Sequence, residues 1–166
     1  ANVIIRVEGR KLSEVEFNVV ESPRFFEKFL DGKPAEDAPR ISERICGICF
    51  VAHHLASIKA VEAAWGVEVP EAALLLRKLL NFGGFITSHC LHLGFLALPD
   101  LLDLDERNFV GIAKKHADAF KPLLGLYEYG VAITQIVGGR EVHVVTAIPG
   151  GMSKPLSKEE REKLLS

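Results

Sequence analysis

The chain has 166 residues, a net charge of −2, 48% hydrophobic residues and three cysteines. The near-neutral balance and scattered basic residues leave no electrostatic footprint for nucleic acid or an anionic membrane surface. The apolar share and a mean hydropathy of +0.19 exceed what a small soluble domain needs, pointing to apolar surface kept for a partner or for further chain.

The opening Ala1-Asn2-Val3-Ile4-Ile5-Arg6 lacks the basic and long apolar regions of a signal peptide. β-Rich runs at Val3–Val7 and Val15–Val20 flank Gly9-Arg10-Lys11 and predict a hairpin. Ser22 and Pro23 predict the cap and first position of a short helix ending at Asp31-Gly32. Lys33-Pro34 and Ala38-Pro39 read as a loop. A helix is expected from about Gly47 to Trp65, stopped by Gly66. A long apolar helix opens at Val69-Pro70-Glu71 and ends before Pro99. From Leu79 to Pro99 it carries no Asp, Glu, Lys or Arg, near the roughly 20 residues a bilayer requires. Asn81, His89 and His92 would be costly in lipid, so the expectation is a core helix and no membrane span. The next helix begins near Asp103 or Asp105 and runs towards Gln135, with a kink at Pro122 and a stop at Gly138-Gly139. Glu141–Thr146 predicts a strand and Pro149-Gly150-Gly151 a tight turn. Ser157 and Glu160 predict a capping box on a helix Lys158–Leu165. The fold class is α+β, predominantly helical: an N-terminal β-hairpin followed by long packed helices.

The chemistry concentrates in Arg44-Ile45-Cys46-Gly47-Ile48-Cys49 and His53. At about 100° per residue, a helical Cys46, Cys49 and His53 fall within an arc of about 60°. Two soft sulfurs and an imidazole suit a soft transition metal, yet a closed tetrahedral site wants about four ligands. A helix N-terminus and the Arg44 cation both favour thiolate. The same pair could act as a redox dithiol, though a thioredoxin-like arrangement needs a strand feeding the CxxC, and residues 39–44 make a poor one. Cys90 with His89 and His92 forms either a second ligand cluster or ordinary core residues; His54 lies about 100° off the ligand face and reads as structural. Cysteines in CxxC spacing suggest metal or thiol chemistry in a reducing compartment rather than a disulfide framework. Glu8 and Glu27, by spacing alone, are an exposed strand-end and an exposed helical carboxylate.

These residues in order resemble the large (catalytic) subunit of [NiFe] hydrogenases, in its soluble cytoplasmic branch. Arg44–His53 matches R-x-C-G-x-C-x-x-x-H, Arg6-Val7-Glu8-Gly9 an early R-[IV]-E-G element, and Arg24-Phe25-Phe26-Glu27 the R-G-x-E helix. Ser88–Leu93, Leu98-Pro99-Asp100 and Ile148–Gly151 extend the likeness along the whole chain. The resemblance implies that Cys46 is a terminal nickel ligand and that Cys49 bridges nickel and iron. It implies that His53 hydrogen-bonds towards a cysteine sulfur and that Arg44 belongs to the same motif. Glu8 would take protons after a cysteine thiolate, and Glu27 would serve a nearby Mg²⁺. The implied reaction is reversible oxidation of H₂ at an Ni–Fe centre whose iron carries CO and CN⁻. The implied partners are an iron–sulfur small subunit, with further electron-transfer subunits. Arg10, Phe50 and Val144 depart from the commoner residues of the pattern. The family's second cysteine pair, in a D-P-C-x-x-C-x-x-H motif, has no counterpart here. Residues 1–166 are thus expected to be the N-terminal portion of such a protein, without its C-terminal metal-binding half and inactive alone. The alternatives are a Zn²⁺ module using Cys46, Cys49, Cys90 and a histidine, or an inactive scaffold.

Overall fold

The computed structural model describes residues 1–104 and 108–166. Strands β1 (Asn2–Glu8) and β2 (Lys11–Asn18) form the expected antiparallel hairpin, and Gly9 takes the left-handed φ of 62° at the turn. Pairing Val3 with Phe17, Ile5 with Val15 and Val7 with Leu12 gathers the apolar side chains on one face; the other carries Arg6, ion-paired to Glu14 and Glu16. Neither face is covered. Every residue of the two strands except Glu16 is exposed.

The helical body follows. Helix α1 spans Phe26–Leu30, later than expected: Ser22 and Pro23 do not cap it, because Phe25 adopts a left-handed φ of 53° and Arg24 is drawn to the carbonyls of Arg44 and Ile45. Instead of a loop, residues Ala38–Ser42 form helix α2, with Pro39 in the first turn where its missing N–H leaves no bond unmade. Helix α3 (Phe50–Trp65) ends at Gly66, φ 65°. Helix α4 (Glu71–Leu91) does not stop before Pro99. It passes through a π-helical turn (His92–Ala97) into α5 (Leu98–Leu101). The wider π turn lies just upstream of Pro99, where a regular α-helix would meet the proline ring and lose its N–H bond. The combined helix 71–101 is long and apolar enough to cross a membrane, yet Arg77 ties it by side-chain bonds to α3.

Of the two expected starts for the next helix, Asp105 lies outside the described residues and Asp103 precedes the helix. Helix α6 (Phe109–Lys115) is capped by Asn108, whose side chain accepts the Val110 N–H at 3.0 Å. The helical break then falls at His116, and α7 (Ala117–Gly138) carries Pro122 inside it before the left-handed stop at Gly139, φ 80°. The expected strand at 141–146 is absent. His143 turns the backbone left-handed (φ 57°), and the N–H groups of Val145 and Thr146 go to Gly138 O at 2.7 and 3.3 Å. The β-prone segment thus satisfies the end of α7 instead of pairing. Short strands β3 (Ala147–Ile148) and β4 (Gly151–Met152) flank the expected turn, and α8 (Lys158–Leu165) carries the expected capping box.

The main core joins Val51, Leu55 and Ile58 of α3, Leu80 of α4, Ile133 and Val137 of α7, and Val144. Helices α4 and α7 cross closely at two glycines. A Cβ on Gly83 would stand 2.7 Å from Ile133 Cγ2, and one on Gly130 would stand 2.5 Å from Thr87 Oγ1. Leu98, Ile112 and Phe120 make a separate, smaller core.

Candidate metal centre

Cys46 and Cys49 meet sulfur to sulfur at the head of α3, with Cα atoms 5.4 Å apart. Both are partly buried. The helical arc expected for this trio does not hold. Cys46 is extended (φ −141°, ψ 125°), Cys49 is the residue before the helix, and only His53 lies on α3. The loop brings the sulfurs together by a tight turn in which the Cys49 N–H donates to Cys46 Sγ at 3.0 Å. A 3-10 turn (Glu43–Ile45), not a strand, feeds the motif, so the βαβ setting of a thioredoxin-like dithiol is missing.

The loop is held from several sides. Arg24 donates to the carbonyls of Arg44 and Ile45, the two residues before Cys46, while its guanidinium stacks 4.8 Å from the Phe26 ring. Ser42 Oγ donates to His53 O at 3.4 Å, and the His53 N–H donates to Cys49 O at 3.2 Å. His143 packs edge-on against Phe50 with centroids 5.7 Å apart.

A second fixed point lies further along α3. Arg77 makes a bidentate pair with Glu62 (2.9 and 2.6 Å) and donates to the carbonyls of Ile148 (2.8 Å) and Gly151 (2.9 Å). The Gly150 N–H donates to Glu62 Oε1 at 2.7 Å. Burial acts to raise the Glu62 pKa, but Arg77, the Gly150 N–H and the Lys59 charge outweigh it and hold the carboxyl below its usual range. Both side chains are buried, and no local pattern announced a pair fifteen residues apart.

The remaining sequence candidates are dispersed. Glu8 ends the exposed hairpin strand. Glu27 is exposed on α1, on the rim of an open surface cavity of about 530 Å³ shared with Lys28 and Asp31. Arg44 is exposed and His53 half-buried. Cys90 is buried in the apolar wall with Phe95, Phe120 and Tyr127, where burial pushes its thiol pKa up. Among the described residues no three His, Cys, Asp or Glu side chains converge as a ligand set, so the four-ligand zinc arrangement does not form.

The residues present therefore fit half of a soft-metal site: two sulfurs converging on one point, with further ligands needed from outside the described residues. Two sulfurs presented at a helix head on a helical scaffold are the kind of donor set that thiolate metalloproteins use. The family model for nickel-dependent hydrogenase matches residues 24–121. This chain belongs to that family. It is 49% identical over 163 residues to the vhu F420-non-reducing hydrogenase subunit of Methanocaldococcus jannaschii, covering 95% of this chain and 39% of the relative. It is 50% identical over 179 residues to the vhc F420-non-reducing hydrogenase subunit of Methanococcus voltae, covering 98% and 38%. The solved NAD⁺-reducing [NiFe]-hydrogenase in its H₂-reduced state superposes with a TM-score of 0.85 at 36% identity, over 93% of this chain and 35% of that one. The chain thus spans under two fifths of these relatives' length.

Proposed function

We propose that this chain forms the N-terminal part of the catalytic subunit of a [NiFe] hydrogenase, oxidising H₂ reversibly to protons and electrons. The observation that carries the reading is the family match over residues 24–121 with the converged Cys46 and Cys49 inside it. As thiolates, Cys46 and Cys49 would hold the metals of an Ni–Fe centre. When bound, the Ni–Fe centre with its CO and CN⁻ ligands supplies heterolytic H₂ cleavage. A cysteine thiolate, Cys49 among the candidates, would take the first proton and the Glu8 carboxylate the next. His53 would hydrogen-bond towards a cysteine sulfur and tune its basicity, and Arg44 would add positive charge that favours thiolate. Glu27 offers oxygen to Mg²⁺, a hard cation. The second cysteine pair comes from the chain beyond these residues. An iron–sulfur small subunit, with further electron-transfer subunits, carries the electrons away in the cytoplasm. The exposed apolar residues of β1, β2 and α4 support contacts of that extent.

Metal analysis and H₂-dependent viologen reduction on the complex purified from its source test this reading. Nickel and iron in near-equal amounts are expected, and Cys46→Ser and Cys49→Ser each lose nickel and activity together. His53→Ala keeps nickel and loses about 10–100-fold in rate. Zinc, or no metal, in the active-site subunit of that complex sinks the proposal.

A further inference from the structure

Beneath the dithiol loop lies a titratable pair that the metal chemistry does not use. Glu43 opens the turn that leads to Cys46 and is 1% exposed; His54 on α3 is 0% exposed. His54 Nδ1 stands 3.3 Å from Pro39 O and 3.0 Å from Glu43 Oε2, and its Nε2 stands 2.9 Å from Ala147 O. Backbone carbonyl oxygens only accept. The Nε2 nitrogen is therefore a donor to Ala147, and the Nδ1 side is shared between Pro39 O and the Glu43 carboxyl. Buried polar side chains need partners, and these two face each other. Glu43 Oε2 faces the imidazole, Oε1 lies 3.5 Å from Arg40 Nη1, and neither oxygen has an aligned hydrogen bond among the described residues. Arg40 is itself anchored, donating to Val144 O at 2.8 Å.

We infer that Glu43 and His54 are a buried, mutually partnered polar pair that positions the Cys46–Cys49 loop. The pair joins four segments at one point: α2 through Pro39, the turn into Cys46 through Glu43, α3 through His54, and β3 through Ala147. Cys46 is extended and outside any helix, so its place depends on what anchors the turn before it. Glu43 is that anchor from below, as Arg24 is from above. Both are positioning residues. The effect on bound nickel rests on the hydrogenase reading; the pair itself does not.

The experiment is a double-mutant cycle in the complete complex, comparing wild type, Glu43→Gln, His54→Gln, the double variant and Glu43→Asp. Melting temperature and the nickel paramagnetic resonance spectrum are read on each. Glu43→Gln takes the carboxyl partner from the buried imidazole and lowers Tm by about 5 °C or more. His54→Gln strands the buried carboxyl and does likewise. The double variant, with both groups gone, recovers at least half of that loss. Nickel g-values shift in both single variants and return towards wild type in Glu43→Asp, a spectroscopic change that general loosening of the fold does not produce. Single variants that fail to accumulate beside a soluble double variant support the pair most strongly. Wild-type Tm in Glu43→Gln, additive losses in the double variant, or a double variant that accumulates no better than the singles overturns it. Unshifted g-values overturn the positioning role. If wild type holds no nickel, the hydrogenase reading fails while the melting cycle still decides the pair.

Discussion

The N-terminal hairpin and the α3–α4–α7 body carry similar apolar residues and treat them oppositely. Ile5 and Phe17 remain 61% and 67% exposed, whereas Ile58 and Leu80 are fully sealed. The hairpin has its register, its turn glycine and one clean apolar face, yet two strands have nothing to fold that face against, and such a ribbon is marginal by itself. The body has three helices whose stripes interlock, plus buried polar contacts that tie distant segments. The proposed ligands Cys46 and Cys49 ride on the body. The proposed proton acceptor Glu8 rides on the hairpin. Rigid placement is therefore built into one half of the proposed chemistry and not into the other.

Breaking the body should cost most at its polar clasp. Arg77→Met leaves Glu62 buried without its cation and should lower stability by about 3–5 kcal/mol, measured by chemical unfolding. The pH dependence has a definite sign. Glu62 is held below its ordinary value of 4.5 in the folded state, so its contribution is present above that value and is lost as pH falls through the folded one. Below about pH 4.5 the wild-type protein should lose stability more steeply than Arg77→Met, and parallel curves would refute the clasp. A smaller cost is expected at the helix crossing. Gly130→Ala pushes a methyl into Thr87 and should cost about 1–3 kcal/mol, whereas Gly125→Ala, where a Cβ meets nothing within 4 Å, should be neutral or better. The smallest effect belongs to the hairpin. Phe17→Ser in the 166-residue chain should move the unfolding midpoint of the helical body by less than about 0.5 kcal/mol. A large shift there would erase the distinction between the two regions.

The contrast also marks what the sequence could disclose. Local signals read correctly: the hairpin turn at Gly9, the helix stops at Gly66 and Gly139, and the Ser157–Glu160 capping box. Each is decided within about five residues by backbone sterics or one side chain. Prolines misled twice, because Pro39 and Pro99 begin helical turns here and a helix is compatible with proline in its first turn. Val142, Val144 and Val145 look like a strand, but His143 and the open end of α7 claim the segment. The CxxC stood out in the sequence as a candidate ligand pair. Its shape did not, because Cys46 lies in a turn whose geometry depends on Arg24, 22 residues earlier, and on His54 from the next helix. Such partners leave no periodic trace.

The π-helical turn at His92–Ala97 sets the phase of everything after it. By accommodating an extra residue it rotates the helix, so that Leu98 joins Ile112 and Phe120 and not the main core. The two clusters share a backbone but not a packing surface, which makes them separable units of cooperative opening. In native-state hydrogen exchange, amides of 98–101 and 109–120 should report a lower opening free energy than those of α3 and the C-terminal part of α7. The chain would then breathe from that end while the segment bearing the cysteines stays closed.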